Sequence, residues 1–352
     1  MNTAMGNLAS TDRDWVTLLS DNSRTGGTRV PSWKAPKSVR WQFRAGRAIV
    51  ASPVLRDNVL YVTEIHGTAY AIDADSGRPT WTRQFPNWIH STPSISGNAL
   101  LFGCDGGKVH SLARDTGRTI WETATRGEVW CSPVVRDETV FFGSADGRFY
   151  AVEHKTGKPR WTQTLGGRIY ASAYAAEKHV YLGCGDGKVY ALDASSGKIQ
   201  WSTPTGDGID STPAVVGDMV LVGSEDYFFY ALDSGTGAVR WKFETKLGIS
   251  SSPAASEEFV VFGSKDRNVY ALDVRTGKLR WKTFTGSAIT SLPVFSEPVV
   301  AISAGGSVEC LDPASGEVLW EAGLDSGLQS APVLAGGRTY IASQDGMVYA
   351  LE

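Results

Sequence analysis

Along nearly its whole length the chain alternates apolar and polar residues with a period of two, in short runs broken by Gly, Asp, Ser and Thr. Successive side chains of a strand point to opposite faces, so this pattern predicts strands rather than helices. Spacings of three and four, which an amphipathic helix needs, are nowhere sustained. The stretch 209–243 shows one unit in full. Ile209–Val215 predicts a first strand, Met219–Gly223 a second, Phe228–Leu232 a third and Val239–Phe243 a fourth, with Asp233–Gly237 as the turn from third to fourth. Short strands joined by tight turns fold as one antiparallel meander.

The unit recurs. Trp41, Trp81, Trp121, Trp161, Trp201, Trp241 and Trp281 are 40 residues apart, and Trp320 follows after 39. Four residues before each of the last seven stands a glycine: Gly77, Gly117, Gly157, Gly197, Gly237, Gly277 and Gly316. A period of this size marks a radial or stacked repeat architecture. The reading is an all-β, eight-bladed β-propeller of four-stranded antiparallel blades, each tryptophan wedged between neighbours with its indole N–H on a backbone carbonyl. The last copy ends at Tyr349-Ala-Leu-Glu352, after its third strand, whereas Val39-Arg-Trp41-Gln-Phe43 is a fourth strand with no blade before it. Residues 37–43 are therefore expected to complete the last blade, closing the ring without an exposed edge. Residues 37–352 form the propeller, and residues 1–36, outside the repeat, an irregular lead-in lying on its surface.

A chain of 352 residues would ordinarily divide into two domains; radial repetition removes that need, because each unit is buried only against its neighbours. The net charge of −3 gives no broad pull toward nucleic acid or an anionic membrane. No apolar run approaches the roughly 18 residues of a spanning helix. The opening segment carries neither a basic cluster nor an apolar core, so as written the chain reads as cytoplasmic, or as periplasmic or secreted if a leader was removed. Cys104, Cys131, Cys184 and Cys310 fall in four different units, each replacing a small residue, and suggest neither a disulfide nor a metal site.

The segment Tyr190-Ala-Leu-Asp193-Ala-Ser-Ser-Gly197-Lys-Ile-Gln-Trp201 and its copy Tyr270-Ala-Leu-Asp273-Val-Arg-Thr-Gly277-Lys-Leu-Arg-Trp281 resemble the tryptophan-docking repeat of the pyrroloquinoline-quinone (PQQ) family of eight-bladed propellers. The resemblance covers residues 37–352 and implies the fold. Its members include quinoprotein dehydrogenases, the propeller lipoprotein of the outer-membrane barrel-assembly machine, and sensor domains. The dehydrogenases carry long insertions and two adjacent cysteines over PQQ; here every unit stays near forty residues and no cysteines adjoin. In length and blade number the chain is closer to the lipoprotein, although no lipobox cysteine stands near its start. No cofactor is predicted, PQQ with calcium being the disfavoured exception.

Comparison among the eight copies separates scaffold from candidate site. Eight residues after each tryptophan the copies agree (Ile49, Ile89, Val129, Ile169, Ile209, Ile249, Ile289, Leu328), and ten residues after they are small. The position between differs in every copy: Val50, His90, Trp130, Tyr170, Asp210, Ser250, Thr290 and Gln329. Innermost strands line the channel, so these residues should ring its mouth. With the loop residues Trp88, Glu128, Arg168 and Tyr227, they predict a concave aromatic wall with ionisable groups at blades 2–5, the character of a ligand or peptide site. The expected site is Trp88, His90, Glu128, Trp130, Arg168, Tyr170, Asp210 and Tyr227. The function expected is a monomeric, non-enzymatic binding or scaffold propeller for a partner protein, peptide or small ligand. The alternative is an enzyme of hydrolase, lyase or cyclase type at the same mouth, with His90, Asp210, Glu128 and Tyr170 as candidate catalytic groups. His90 and Asp210, three blades apart, should face each other across the channel without touching. A PQQ-dependent oxidoreductase is the second alternative. His110 stands where other units carry tyrosine and is expected to be a packed side chain.

Overall fold

A computed structural model describes residues 27–29, 34–324 and 326–352. Its strands form eight antiparallel sheets of one repeated plan, and among the described residues there is no helix; none therefore is long and apolar enough to cross a membrane. Blade 5 comprises Ala214–Val216, Met219–Gly223, Phe228–Asp233 and Val239–Glu244. The last blade consists of Val333–Ala335, Arg338–Ala342 and Met347–Leu351, completed by Val39–Arg44 in the register Val39↔Leu351 to Arg44↔Met347. The ring closes through that amino-terminal strand, as expected. The backbone N–H groups of Lys37 and Ser38 also donate to the Glu352 carbonyl, at 2.7 and 3.0 Å.

All eight indole N–H groups donate to a carbonyl of the neighbouring blade, at 2.8–3.1 Å. Trp320 reaches the Pro36 carbonyl, so the chain's own beginning receives the final wedge. In every blade the outer strand carries a register shift just before its tryptophan, such as that between Ala151 and Val152 opposite Pro159 and Trp161. A bulge bends and twists its strand, and here the repeated bulge immediately precedes the indole that crosses to the next blade. The apolar faces meet between blades. The eight apolar residues that follow the tryptophans are the inner part of this packing, seven wholly buried and Leu328 nearly so.

Two expectations change. The first strand of blade 5 pairs only over Ala214–Val216, not from Ile209. Pro213 has no N–H to give the ladder. Ile209 and Thr212 donate sideways instead, to the Cys184 carbonyl of blade 4 at 3.2 Å and to Ser252 Oγ of blade 6 at 2.9 Å. This approach segment is thus a crosslink between three blades, and it carries Asp210. Secondly, Gly27–Arg29, within the expected irregular lead-in, forms a strand parallel to the innermost strand of blade 7, with Gly27 opposite Phe295 and Arg29 opposite Glu297. The rest of the lead-in before Lys34 lies outside the described residues.

Candidate functional site

Val50, His90, Trp130, Tyr170, Asp210, Ser250, Thr290 and Gln329 line a single cavity of about 200 Å³ at one mouth of the channel. Beneath them runs a second tier, Ser52, Thr92, Ser132, Ser172, Thr212 and Ser252, completed by Leu292 and Ala331. Four hydroxyls of this tier accept a backbone N–H from the preceding blade: Thr92 from Ser52, Ser172 from Ser132, Ser252 from Thr212, and Ser52 from Ala331, at 2.8–3.0 Å. A hydroxyl that accepts in this way keeps its own proton. The belt therefore fixes the blades and offers O–H donors toward the axis.

Blades 1–4 build a continuous arc of rings above the belt. His66 meets Trp88 at 5.4 Å between centroids, Trp88 meets His90 at 6.3 Å, and His90 meets Trp130 at 4.7 Å. Trp130 stacks on Tyr170 at 4.4 Å, and the Arg168 guanidinium lies 5.2 Å from the Tyr170 ring. Each ring covers its neighbour's face, so the arc is rigid and presents edges rather than an open cage. Trp88, 49% exposed, is its solvent-facing end.

Asp105 holds the arc from below. Its carboxylate accepts the Trp130 indole N–H at 2.9 Å and lies 3.6 Å from His90 Nε2. Burial pushes the Asp105 carboxyl above its ordinary range; the charge of His90 and the indole hydrogen bond work against that, and exposed Glu128 adds to it. Its turn is locally unlike the others. In blades 3–6 the second-to-third turn is tied by tyrosine to aspartate, Tyr150–Asp146, Tyr190–Asp186, Tyr230–Asp226 and Tyr270–Asp266, at 2.6–2.7 Å. Blade 2 has Gly106 and His110 at those two positions. His110 is buried as expected, with Nε2 3.5 Å from Cys104 Sγ and Nδ1 3.1 Å from Glu122. Burial holds its imidazole below the usual histidine range and the Cys104 thiol above its own.

Asp210 lies on the far side of the mouth and does not pair with His90, whose carboxylate neighbour is Asp105. It makes no hydrogen bond or ion pair to a described residue. Its side chain opens to the channel but is walled by protein, and that lost hydration pushes its carboxyl up. Glu225 pushes further, and Lys265 and Arg168 partly oppose this. Glu225 and Lys265 pair with each other at 2.7 and 2.8 Å. Of the expected site residues, His90, Trp130, Tyr170 and Asp210 line the cavity, while Trp88, Glu128 and Arg168 stand at its rim. Tyr227 does not join them. It lines a separate groove running outward between blades 5 and 6.

Asp105, Glu225 and Lys265 were not singled out by the sequence. They occupy one repeat position, 24 residues after the tryptophan, which reads Ile65, Asp105, Ala145, Gly185, Glu225, Lys265 and Gln344 around seven blades. Its variability is the same signal that marks the mouth ring, obscured because Asp-Gly at a turn reads as turn chemistry.

The fold is shared with several solved structures. BamB from Moraxella catarrhalis is 19% identical, with a TM-score of 0.77 over 90% of this chain and 99% of that one. The computationally designed Ika8 protein is 19% identical, with a TM-score of 0.81 over 90% and 99%. Quinohemoprotein alcohol dehydrogenase from Comamonas testosteroni is 17% identical, with a TM-score of 0.80 over 98% and 81%. No curated protein matches the sequence. The model of the PQQ-like repeat family described as outer membrane protein assembly factor BamB matches residues 12–103, 86–172, 156–291 and 285–352. With matches running from residue 12 to the carboxy terminus and eight blades in the coordinates, the chain belongs to that family.

Proposed function

We propose that this protein is a non-enzymatic binding propeller that engages a partner protein, peptide or small ligand through the channel mouth of blades 2–5. The observation that carries the reading is the ring arc from Trp88 to Tyr170, anchored by Asp105 and unrepeated elsewhere on the ring. Aromatic and arginine side chains held rigidly at a concavity give large contact area at little entropic cost. The family's description as an assembly factor agrees with a role in contacting other proteins. Fold alone does not decide this, since quinohemoprotein alcohol dehydrogenases share it.

The channel residues do not fit a calcium-bound quinone. Calcium takes six to eight oxygen ligands, whereas the mouth ring supplies one carboxylate, Asp210, beside Ser250, Thr290 and Gln329. Among the described residues no three His, Cys, Asp or Glu side chains converge as a metal site. The cysteines are buried singly.

The test compares partner recovery by the wild type with that by Trp130→Ala and Tyr170→Ala. Loss of a specific partner in both variants, with the circular-dichroism spectrum unchanged, is the expected result. An unaltered partner set removes the mouth from consideration. The enzymatic reading retains one specific support, the His90–Asp105 approach, which has the reach of an acid–base pair with one side open to the cavity. Turnover abolished in His90→Gln while partner recovery persists would favour it.

A further inference from the structure

The groove that holds Tyr227 is distinct from the channel mouth. It encloses about 450 Å³ between blades 5 and 6 and is lined by Tyr227, Phe243, Lys246, Tyr270, Leu279 and Lys282, among others. Three observations converge on it.

The first is backbone strain. Tyr227 and Arg267 occupy the same turn position in adjacent blades, with φ of 77° and 70°. Five other blades place glycine there, Gly67, Gly107, Gly147, Gly187 and Gly346, also with positive φ. A bulky side chain in that conformation is unfavourable and persists where something else requires it. The second is charge. The position following the tryptophan is Lys242 and Lys282 in these two blades, against Gln42, Thr82, Glu122, Thr162, Ser202 and Glu321 in the other six. With Lys246 and Arg267 they face a single acid in the groove, Glu244. The third is exposed apolar surface. Tyr227 is 48% exposed, Leu279 45% and Leu247 46%; Phe284, on the same strand face as Lys282, is 67% exposed. Apolar surface rimmed by charges of one sign marks a docking site for a partner of the opposite sign.

We infer that this groove binds an acidic polypeptide segment in which carboxylates alternate with aromatic or aliphatic side chains. Lysines would meet the carboxylates along the outer strands, and the apolar side chains would seat between Tyr227 and Leu279. The Lys242 ammonium already lies 4.0 Å from the Phe228 ring, so the basic edge is held in place rather than free.

The probe is a fluorescently labelled peptide alternating glutamate with phenylalanine, read by anisotropy at low salt. A counterpart with lysine for glutamate and a single-stranded oligonucleotide serve as comparisons. The acidic peptide should bind and weaken by roughly tenfold or more in the double variant Lys242→Glu, Lys282→Glu. Tyr227→Gly should also weaken it without loss of folded structure, because glycine relieves the turn. Trp130→Ala should leave this affinity unchanged, separating the groove from the mouth. Equal binding of the lysine peptide, tighter binding of the oligonucleotide, or indifference to both groove variants would overturn the assignment.

Discussion

Gly197 allows the interlock between blades to be measured. Its φ is 72°, and a Cβ added there would lie 2.5 Å from Cε3 of Trp161 and 2.8 Å from Cδ2. Gly217 also has positive φ, 58°, but nothing lies within 4 Å of its added Cβ. Gly217→Ala therefore carries only the backbone cost, about 1–2 kcal/mol. Gly197→Ala carries that cost plus displacement of a packed indole, about 1–3 kcal/mol more. Trp161→Ala removes a wedge that contacts Phe141 and Phe149 and donates to the Ala194 carbonyl, at about 3–5 kcal/mol. Once the indole is gone the new methyl meets space. In the Trp161→Ala background, Gly197→Ala should thus fall to the cost seen at Gly217. The cycle is read from urea midpoints followed by far-ultraviolet circular dichroism, with the slope unchanged between variants. The coupling expected is about 1–3 kcal/mol in the direction that makes the double variant better than additive. If Gly197→Ala costs the same with and without Trp161, or no more than Gly217→Ala, the indole is not seated on that turn and the wedge account fails.

Two further outcomes follow from the mouth and the groove. Asp210 has its folded-state carboxyl raised by lost hydration and by Glu225, so its contribution to stability is present below the ordinary carboxyl range and declines as pH rises through the raised value. Asp210→Asn should raise the melting temperature at pH 7 and give no gain below about pH 4; a gain that is the same at both would show that charge is not the cause. Tyr227→Gly exchanges a strained turn, about 1–2 kcal/mol, for the greater freedom of unfolded glycine, about 0.5–1 kcal/mol. Its unfolding midpoint should hold or rise, and a clear fall would mean that the Tyr227 ring packs for stability.

The fold was legible because its information is periodic. Each tryptophan, each turn glycine and each apolar residue eight positions on repeats one local solution, and eight copies average out the accidents of any one. The latch was legible from a count, three strands at one end and one strand left over at the other. Strand boundaries were less so. Alternation continues through Ile209–Pro213 because the stretch is extended and half-buried, yet its hydrogen bonds go to neighbouring blades. The side-chain pattern records exposure, and it does not record which backbone receives the N–H.

The site shows where such reading stops. Position within the repeat gives each side chain its blade and its height along the channel, which sufficed to put His90, Trp130, Tyr170 and Asp210 around one cavity. It gives no radial direction, and Tyr227, at the height of the mouth, points into the groove between blades 5 and 6. Nor does it reveal substitutions that make sense only in pairs. His110 replaces a tyrosine whose turn aspartate is itself replaced by Gly106, and between these two changes the same turn gains Asp105, which ties His90 to Trp130. Read singly, His110 is a packed residue and Asp105 a turn former. Read together, they show one blade trading the turn lock of its neighbours for an acid beneath the mouth. That exchange is confined to the blade at the centre of the ring arc, which is why the arc, rather than the more variable rim, carries the functional argument.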